Sequence, residues 1–189
     1  MSNGHGIETP ASKIATALAT LGLAIRLNAE VNQGRIDVSI FHRAVNIYTG
    51  GDGLRLPAYP EATQADLDGG IYNIVQIALS SSALTVDETL LQVFGPIAYI
   101  KVSSLLGIRV MIHQVRNAFA HNPWRPRWVV YKKYRKAYEI ELDNGTAFTF
   151  DATSLDGDGL NPEQFGGLER WVEVLQHCER LVASNPNIA

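Results

Sequence analysis

Apolar residues recur at helical spacing through most of the chain, and this pattern sets the expected elements. Ile14, Leu18, Leu21, Ile25 and Leu27 form the first run and predict a helix from a Ser12 cap to about Gln33. Val38, Phe41, Val45 and Tyr48 predict a short second helix after Asp37. The glycines and prolines of TGGDGLRLPAYP then break regular structure and predict a loop. A third helix is expected from about Asp66 to Ser82. A fourth opens at the capping box of Thr85 and Glu88 and stops at Gly95. Pro96 opens the longest expected helix, which runs to about His121. Pro123 ends it, because the residue before a proline is pushed out of the α region.

The pattern then changes. Arg127–Lys132, Tyr134–Leu142 and Thr146–Asp151 are rich in aromatic and β-branched residues, and Asp143-Asn144-Gly145 is a hairpin turn signal. After LDGDGLNPE, the residues Leu168, Trp171, Val172, Leu175, Leu181 and Val182 mark one side of a closing amphipathic helix. The expected fold class is mainly α: a helical bundle with a small antiparallel β-hairpin, about residues 127–152, before the C-terminal helix. A flexible tail over residues 1–10 and a single domain over residues 11–189 complete the expectation, since a chain of 189 residues suits one core.

Composition adds limits. Apolar residues make up 46% and charged residues 19%, an ordinary globular balance. The single cysteine, Cys178, excludes an intramolecular disulfide and any multi-cysteine metal site, and fits a reducing cytoplasm. The start, MSNGHGIETP, has no basic n-region, so no secretory leader is expected. Lys101, Arg109 and several serines interrupt the apolar stretch Ile97–Val115, so no membrane span is expected there.

Charge is unevenly spread. Nine of the 16 basic residues and none of the 19 acids fall between Thr89 and Tyr138, which is +9 there and 7 − 19 = −12 elsewhere. Leu105, Ile108, Ile112, Val115 and Phe119 give the long helix an apolar seam. Arg109, His113, Asn117 and His121, each four apart, stack along another face, with Arg116 on the adjoining turn. A cationic stripe with no carboxylate nearby in sequence suits an anion. Arg116 and His121 are five apart, about 140° around an ideal helix and about 7.5 Å along it, so they do not share a face. Either Pro123 frees His121 at the helix end, or a symmetric dimer brings two such pairs to one cleft.

The run RNAFAH, Arg116 to His121, resembles the R-x4-6-H motif of the HEPN superfamily (higher eukaryotes and prokaryotes nucleotide-binding domains). Asn117 directly after the arginine and the Ala118-Phe119-Ala120 run resemble it too, and RNAFAHNPWRPRW resembles a set of small bacterial proteins with HEPN-like domains. The resemblance covers about residues 66–122 and the last helix; the hairpin is an elaboration on the common core. It implies an all-α bundle, a homodimer with a composite site, and metal-independent endoribonuclease activity of the kind found in defence and toxin–antitoxin systems, with an antitoxin-type protein partner. In that reading Arg116, Asn117 and His121 are catalytic. His121 is the general acid and base, Arg116 offers donors to phosphate, and Asn117 orients either group or the scissile phosphate.

Six basic residues follow in PWRPRWVVYKKYRKAY, interleaved with Trp124, Trp128, Tyr131 and Tyr134. Cations hold a phosphate backbone and aromatics stack on unpaired bases, so Arg109, His113, Arg125, Arg127, Lys132, Lys133 and Trp124 are candidate RNA or phosphate contacts. The bland alternative is a strand with an aromatic core face and a basic solvent face. No cofactor and no metal are expected, because no carboxylate or cysteine cluster has ligand spacing, and DGDG lacks the length and final glutamate of a calcium loop. His42 and His177 are expected as surface or satisfied core histidines. Three readings stand at this point: an endoribonuclease, a non-catalytic nucleotide- or RNA-binding or protein-interaction module, and a purely structural role for the motif.

Overall fold

A computed structural model describes residues 9–49 and 52–185. The first eight residues of the expected tail lie outside the described residues. The rest falls into two compact units: Gly22–Gln76, and the described parts of Met1–Leu21 with Ile77–Ala189. The described residues are mainly helical, with two small antiparallel hairpins among them.

Helix α1 spans Pro10–Asn32. Thr9, rather than Ser12, caps it: its hydroxyl accepts the Ser12 N–H at 3.1 Å. Pro10 takes the first helical position, where a missing N–H costs nothing. Within the smaller unit, Val31 packs with Leu67 and Ile71, and Leu27, Ile36 and Phe41 close over them.

The helix expected after Asp37 is not formed. Asp37 caps only a 3-10 turn, Val38–Ile40, and strands β1 (Val45–Thr49) and β2 (Asp52–Leu56) follow as a hairpin. The expected loop is thus partly strand; its Gly50 and Gly51 lie outside the described residues. The register pairs Val45 with Leu56 and Ile47 with Leu54, so all four share one face, and Asn46 and Arg55 take the other. Period-2 alternation on each side of a glycine pair explains the strands better than a helix does.

Helix α2 spans Gln64–Phe94 as one element, where two were expected. Thr63 and Asp66 make the capping box: the Thr63 N–H reaches Asp66 Oδ2 at 2.8 Å, and the Asp66 N–H reaches Thr63 Oγ1 at 3.3 Å. The Thr85–Glu88 pair sits inside the helix. Leu79, Ala83, Val86 and Leu90 are all fully buried and carry one seam straight through the expected break. By length and composition alone, α1 and α2 are both apolar enough to cross a membrane. In α2 56% of the most apolar stretch is buried, against 28% in α1.

Pro96 precedes a 3-10 turn, Ile97–Tyr99, and not a helix. Helix α3 spans Ser103–His121, and Asn122 leaves the helical region at φ −154° before Pro123, as expected. It is shorter than α2. Strands β3 (Ala137–Glu141) and β4 (Ala147–Asp151) form the expected hairpin, turned at Gly145 with φ 81°. The hairpin lies against the start of α3, where Ser104 Oγ both accepts the Glu141 N–H and donates to its carbonyl, each at 2.8 Å. The expected strand over Arg127–Lys132 is an extended segment with one bridge, Arg127 to Gly159, ending in a 3-10 turn at Lys132–Tyr134.

Helix α4 spans Gly167–Ala183 and buries Trp171, Val174, Leu175, Cys178 and Val182. Trp171 donates its indole N–H to Ser82 Oγ of α2 at 3.0 Å, so the largest buried ring of α4 is also hydrogen-bonded. Trp128 is likewise core, 1% exposed, with its indole N–H on Gln164 Oε1 at 2.7 Å. Burial of each such ring stabilises the unit by about 1.5–3 kcal/mol.

Candidate functional site

Helix α3 is buried nearly all round, and this changes the meaning of its stripe. Ile108, Ile112, Val115 and Phe119 form the expected apolar seam. Arg109, on the other face, is only 2% exposed. Its guanidinium donates to the Asp87 carbonyl at 3.4 Å, and its Nε–H is buried without a partner among the described residues. Burial lowers its pKa, an effect opposed by the nearby Asp87 carboxylate. His113 is part-buried and faces the same residue, with Nδ1 3.0 Å from Asp87 Oδ2. The stripe therefore does meet a carboxylate, supplied by α2 from 26 positions earlier in the chain. Asp87 was missed in the sequence because it sits inside the Thr85–Glu88 pattern.

The motif divides in two. Arg116 is half-buried and donates to the side-chain oxygen of Asn117 at 3.1 Å, and Asn117 itself is buried. Asn117 thus holds the guanidinium by its amide oxygen. His121 is exposed at the end of α3, where helical hydrogen bonding stops.

Beyond His121 the chain makes a tight turn. Asn122 Oδ1 accepts the main-chain N–H groups of Trp124 and Arg125, both at 3.1 Å, which turns the chain back along the end of the helix. The result is a groove of about 570 Å³ lined by Ala118, His121, Asn122, Arg125, Arg127, Trp128, Val129, Asp156 and Gly157. Ala118 and His121 present the same side of α3, one turn apart. Arg127 is set by a bond to the Gly157 carbonyl at 3.0 Å. Asp156 accepts the Val130 N–H at 2.9 Å and pairs with Arg135. Asp156 and Gly157 are the other residues the sequence did not point to: DGDG reads there only as a failed calcium loop, whereas the main chain of Gly157 and Asp158 pairs with Trp128.

Of the sequence candidates, His121, Arg125 and Arg127 come together on this groove. Arg116 and Asn117 pair beside it without lining it. Trp124 is exposed next to the groove. Arg109 and His113 are held on Asp87, and Lys132 and Lys133 lie in the exposed 3-10 turn. There Lys133 Nζ stands 4.8 Å from the ring centre of Tyr134, whose ring meets His113 edge-on at 6.2 Å. Arg135 is turned back onto the Val130 carbonyl and Asp156. His42, expected in a helix, lies in a turn and meets the Ala62 carbonyl at 3.3 Å; His177, on α4, faces Asp143. Among the described residues no three His, Cys, Asp or Glu side chains are grouped to hold a metal ion. Cys178 is fully buried, and burial pushes its thiol up to about 12, far from the thiolate range of a nucleophile.

What the arrangement can do follows from its parts. It offers an exposed imidazole, two guanidinium groups and one carboxylate around a concavity open to solvent. Such a set has the chemistry to bind a phosphorylated ligand, with an imidazole beside it. No family model, curated protein or solved structure matches this chain.

Proposed function

We propose that this protein handles RNA as a HEPN-like, metal-independent endoribonuclease acting as a homodimer. The observation that supports the reading is His121: an exposed imidazole at the broken end of α3, sharing a groove with Arg125 and Arg127. His121 takes the proton from a ribose 2′-hydroxyl, and that oxygen attacks the adjacent phosphorus. The bond from phosphorus to the 5′-oxygen breaks, leaving a 2′,3′-cyclic phosphate, and the 5′-oxygen takes the proton back from His121 to become a hydroxyl. Arg116 stabilises the charge on the phosphorane, held in orientation by Asn117. Because Arg116 does not line the His121 groove of its own chain, the complete site takes Arg116 from a second copy. An antitoxin-type protein that covers the groove is the corresponding control.

The test is incubation of purified protein with RNA in EDTA, followed by end analysis. Cyclic phosphate ends that disappear in His121→Ala and fall at least about a hundredfold in Arg116→Ala support the reading. Equal cleavage by His121→Ala overturns it.

The separation of Arg116 from the groove also favours a second reading, a nucleotide- or RNA-binding module without turnover. That reading predicts RNA affinity that falls with salt and no cleavage at any pH.

A further inference from the structure

The groove beside His121 holds chemistry that backbone cleavage does not use. Asp156 is the only carboxylate among its lining residues. Its two oxygens each accept a bond, one from the Val130 N–H and the other from Arg135, and the side chain is 38% exposed. Each carboxylate oxygen has two lone pairs, so each can accept a further bond. Val129, also in the lining, has neither its main-chain N–H nor its carbonyl bonded among the described residues. A main-chain pair free of protein partners, in the same lining as a carboxylate held in place, can read a hydrogen-bonding ligand edge. Arg125 and Arg127 supply cations to the same space, so this ligand edge belongs to something that also carries phosphate.

We propose that the groove is a base-reading subsite, resting on the RNA reading above. It takes one unpaired nucleotide of the substrate, with its phosphate on Arg125 and Arg127 and its base edge on Asp156 and the main chain of Val129. It selects bases with an exocyclic amine, adenine, cytosine and guanine, over uracil. An amine gives the carboxylate a donor. Uracil offers a single N–H flanked by two carbonyls, whose lone pairs repel the carboxylate. A volume of about 570 Å³ suits a small ligand rather than a helix, and sequence reading in RNA falls on splayed-out bases. The three segments that build the subsite, the Asn122 turn, the extended Arg127–Val130 stretch and the Asp156–Gly157 turn, all lie beyond the end of α3. Specificity therefore resides in the elaboration and the proton carrier in the helix.

The test uses the full-length protein with short 2′-O-methyl homopolymers of adenosine, cytidine and uridine, which lack the nucleophilic hydroxyl and cannot be cleaved. Fluorescence anisotropy should give affinities for the adenosine and cytidine polymers about tenfold above that for uridine. Asp156→Asn should bring the three within about twofold, whereas Arg125→Ala should weaken all three alike. A cytidine polymer dimethylated on its exocyclic amine supplies the same test without any substitution in the protein, and should bind no better than uridine. Equal affinities for the three unmodified polymers, or a preference untouched by dimethylation, overturn the subsite and leave the RNA reading standing. Absence of binding to any polymer overturns both.

Discussion

Oδ2 of Asp87 lies 3.0 Å from Nδ1 of His113, so a carboxylate of α2 faces the middle of α3, and the main-chain carbonyl of the same Asp87 accepts from Arg109. One residue thus holds both Arg109 and His113, the first by its main chain and the second by its side chain. Asp87→Ala keeps the carbonyl for Arg109 but removes the carboxylate bonded to His113. The pair is largely screened from water, with side chains 12% and 26% exposed. Loss of one partner should therefore cost about 2–3 kcal/mol, below the range for a fully buried pair. Urea unfolding measures it, and a loss under about 0.5 kcal/mol would show that the contact is idle.

The start of α3 makes a different prediction. A Cβ placed on Gly107 would lie 2.8 Å from Ile140 Cγ1 and 3.2 Å from Tyr138 Cβ of β3. Neither atom is the free end of a flexible side chain, so the hairpin must move. Alanine favours a helix interior over glycine by about 1 kcal/mol, and overpacking typically costs about 1–3 kcal/mol. The clash should win, and Gly107→Ala should be net destabilising by about 1 kcal/mol or more. A stabilised variant would mean that β3 does not approach α3 this closely.

These two contacts also mark where the sequence is readable. The Asp143-Asn144-Gly145 turn announced β3 and β4, and Pro123 announced the end of α3, because both act through local backbone chemistry. The Thr85–Glu88 pair imitated a helix start because a capping box and an interior Thr-x-x-Glu have the same spelling. The uninterrupted seam of Leu79, Ala83, Val86 and Leu90 was the stronger signal. The alternation of Val45, Ile47, Leu54 and Leu56 was visible as well, but Val38, Phe41, Val45 and Tyr48, spaced three and four apart, also fit a helix. The pairing of Asp87 with His113 was not legible, since periodicity along one helix says nothing about what the neighbouring helix presents to it. The groove was half legible: His121, Arg125 and Arg127 stand close in sequence, while Asp156 arrives only through the backbone pairing of its turn with Trp128.

Cys178 should be chemically silent in the native state. Its thiol is buried, and burial raises its pKa to about 12, so the thiolate is negligible at pH 8. A thiol reagent such as DTNB should leave the native protein unlabelled for as long as it stays folded, and should label one equivalent at once in guanidinium chloride. Rapid labelling of the native protein would show that α4 opens locally on the timescale of the reaction.

The hairpin tip should make stability depend on acidity. Asp143 receives two bonds from Arg180, both at 2.6 Å, tying the β3–β4 turn to α4. His177 Nδ1 lies 3.1 Å from both the Asp143 N–H and its carboxylate, and these two bonds exclude each other. The neutral ring accepts the N–H, and a ring protonated at Nδ1 donates to the carboxylate. Arg180 first, and His177 second, hold the Asp143 carboxyl well below the usual range. A lowered folded pKa gives stability that is fully present above the unfolded value, about 3.9, and is lost as pH falls towards the folded value. The melting temperature of wild type should therefore exceed that of Asp143→Asn at about pH 5. Below about pH 4 the two curves should converge. A margin that stays fixed down to pH 2 would show that the carboxylate's charge contributes nothing and that only the shape of the turn matters.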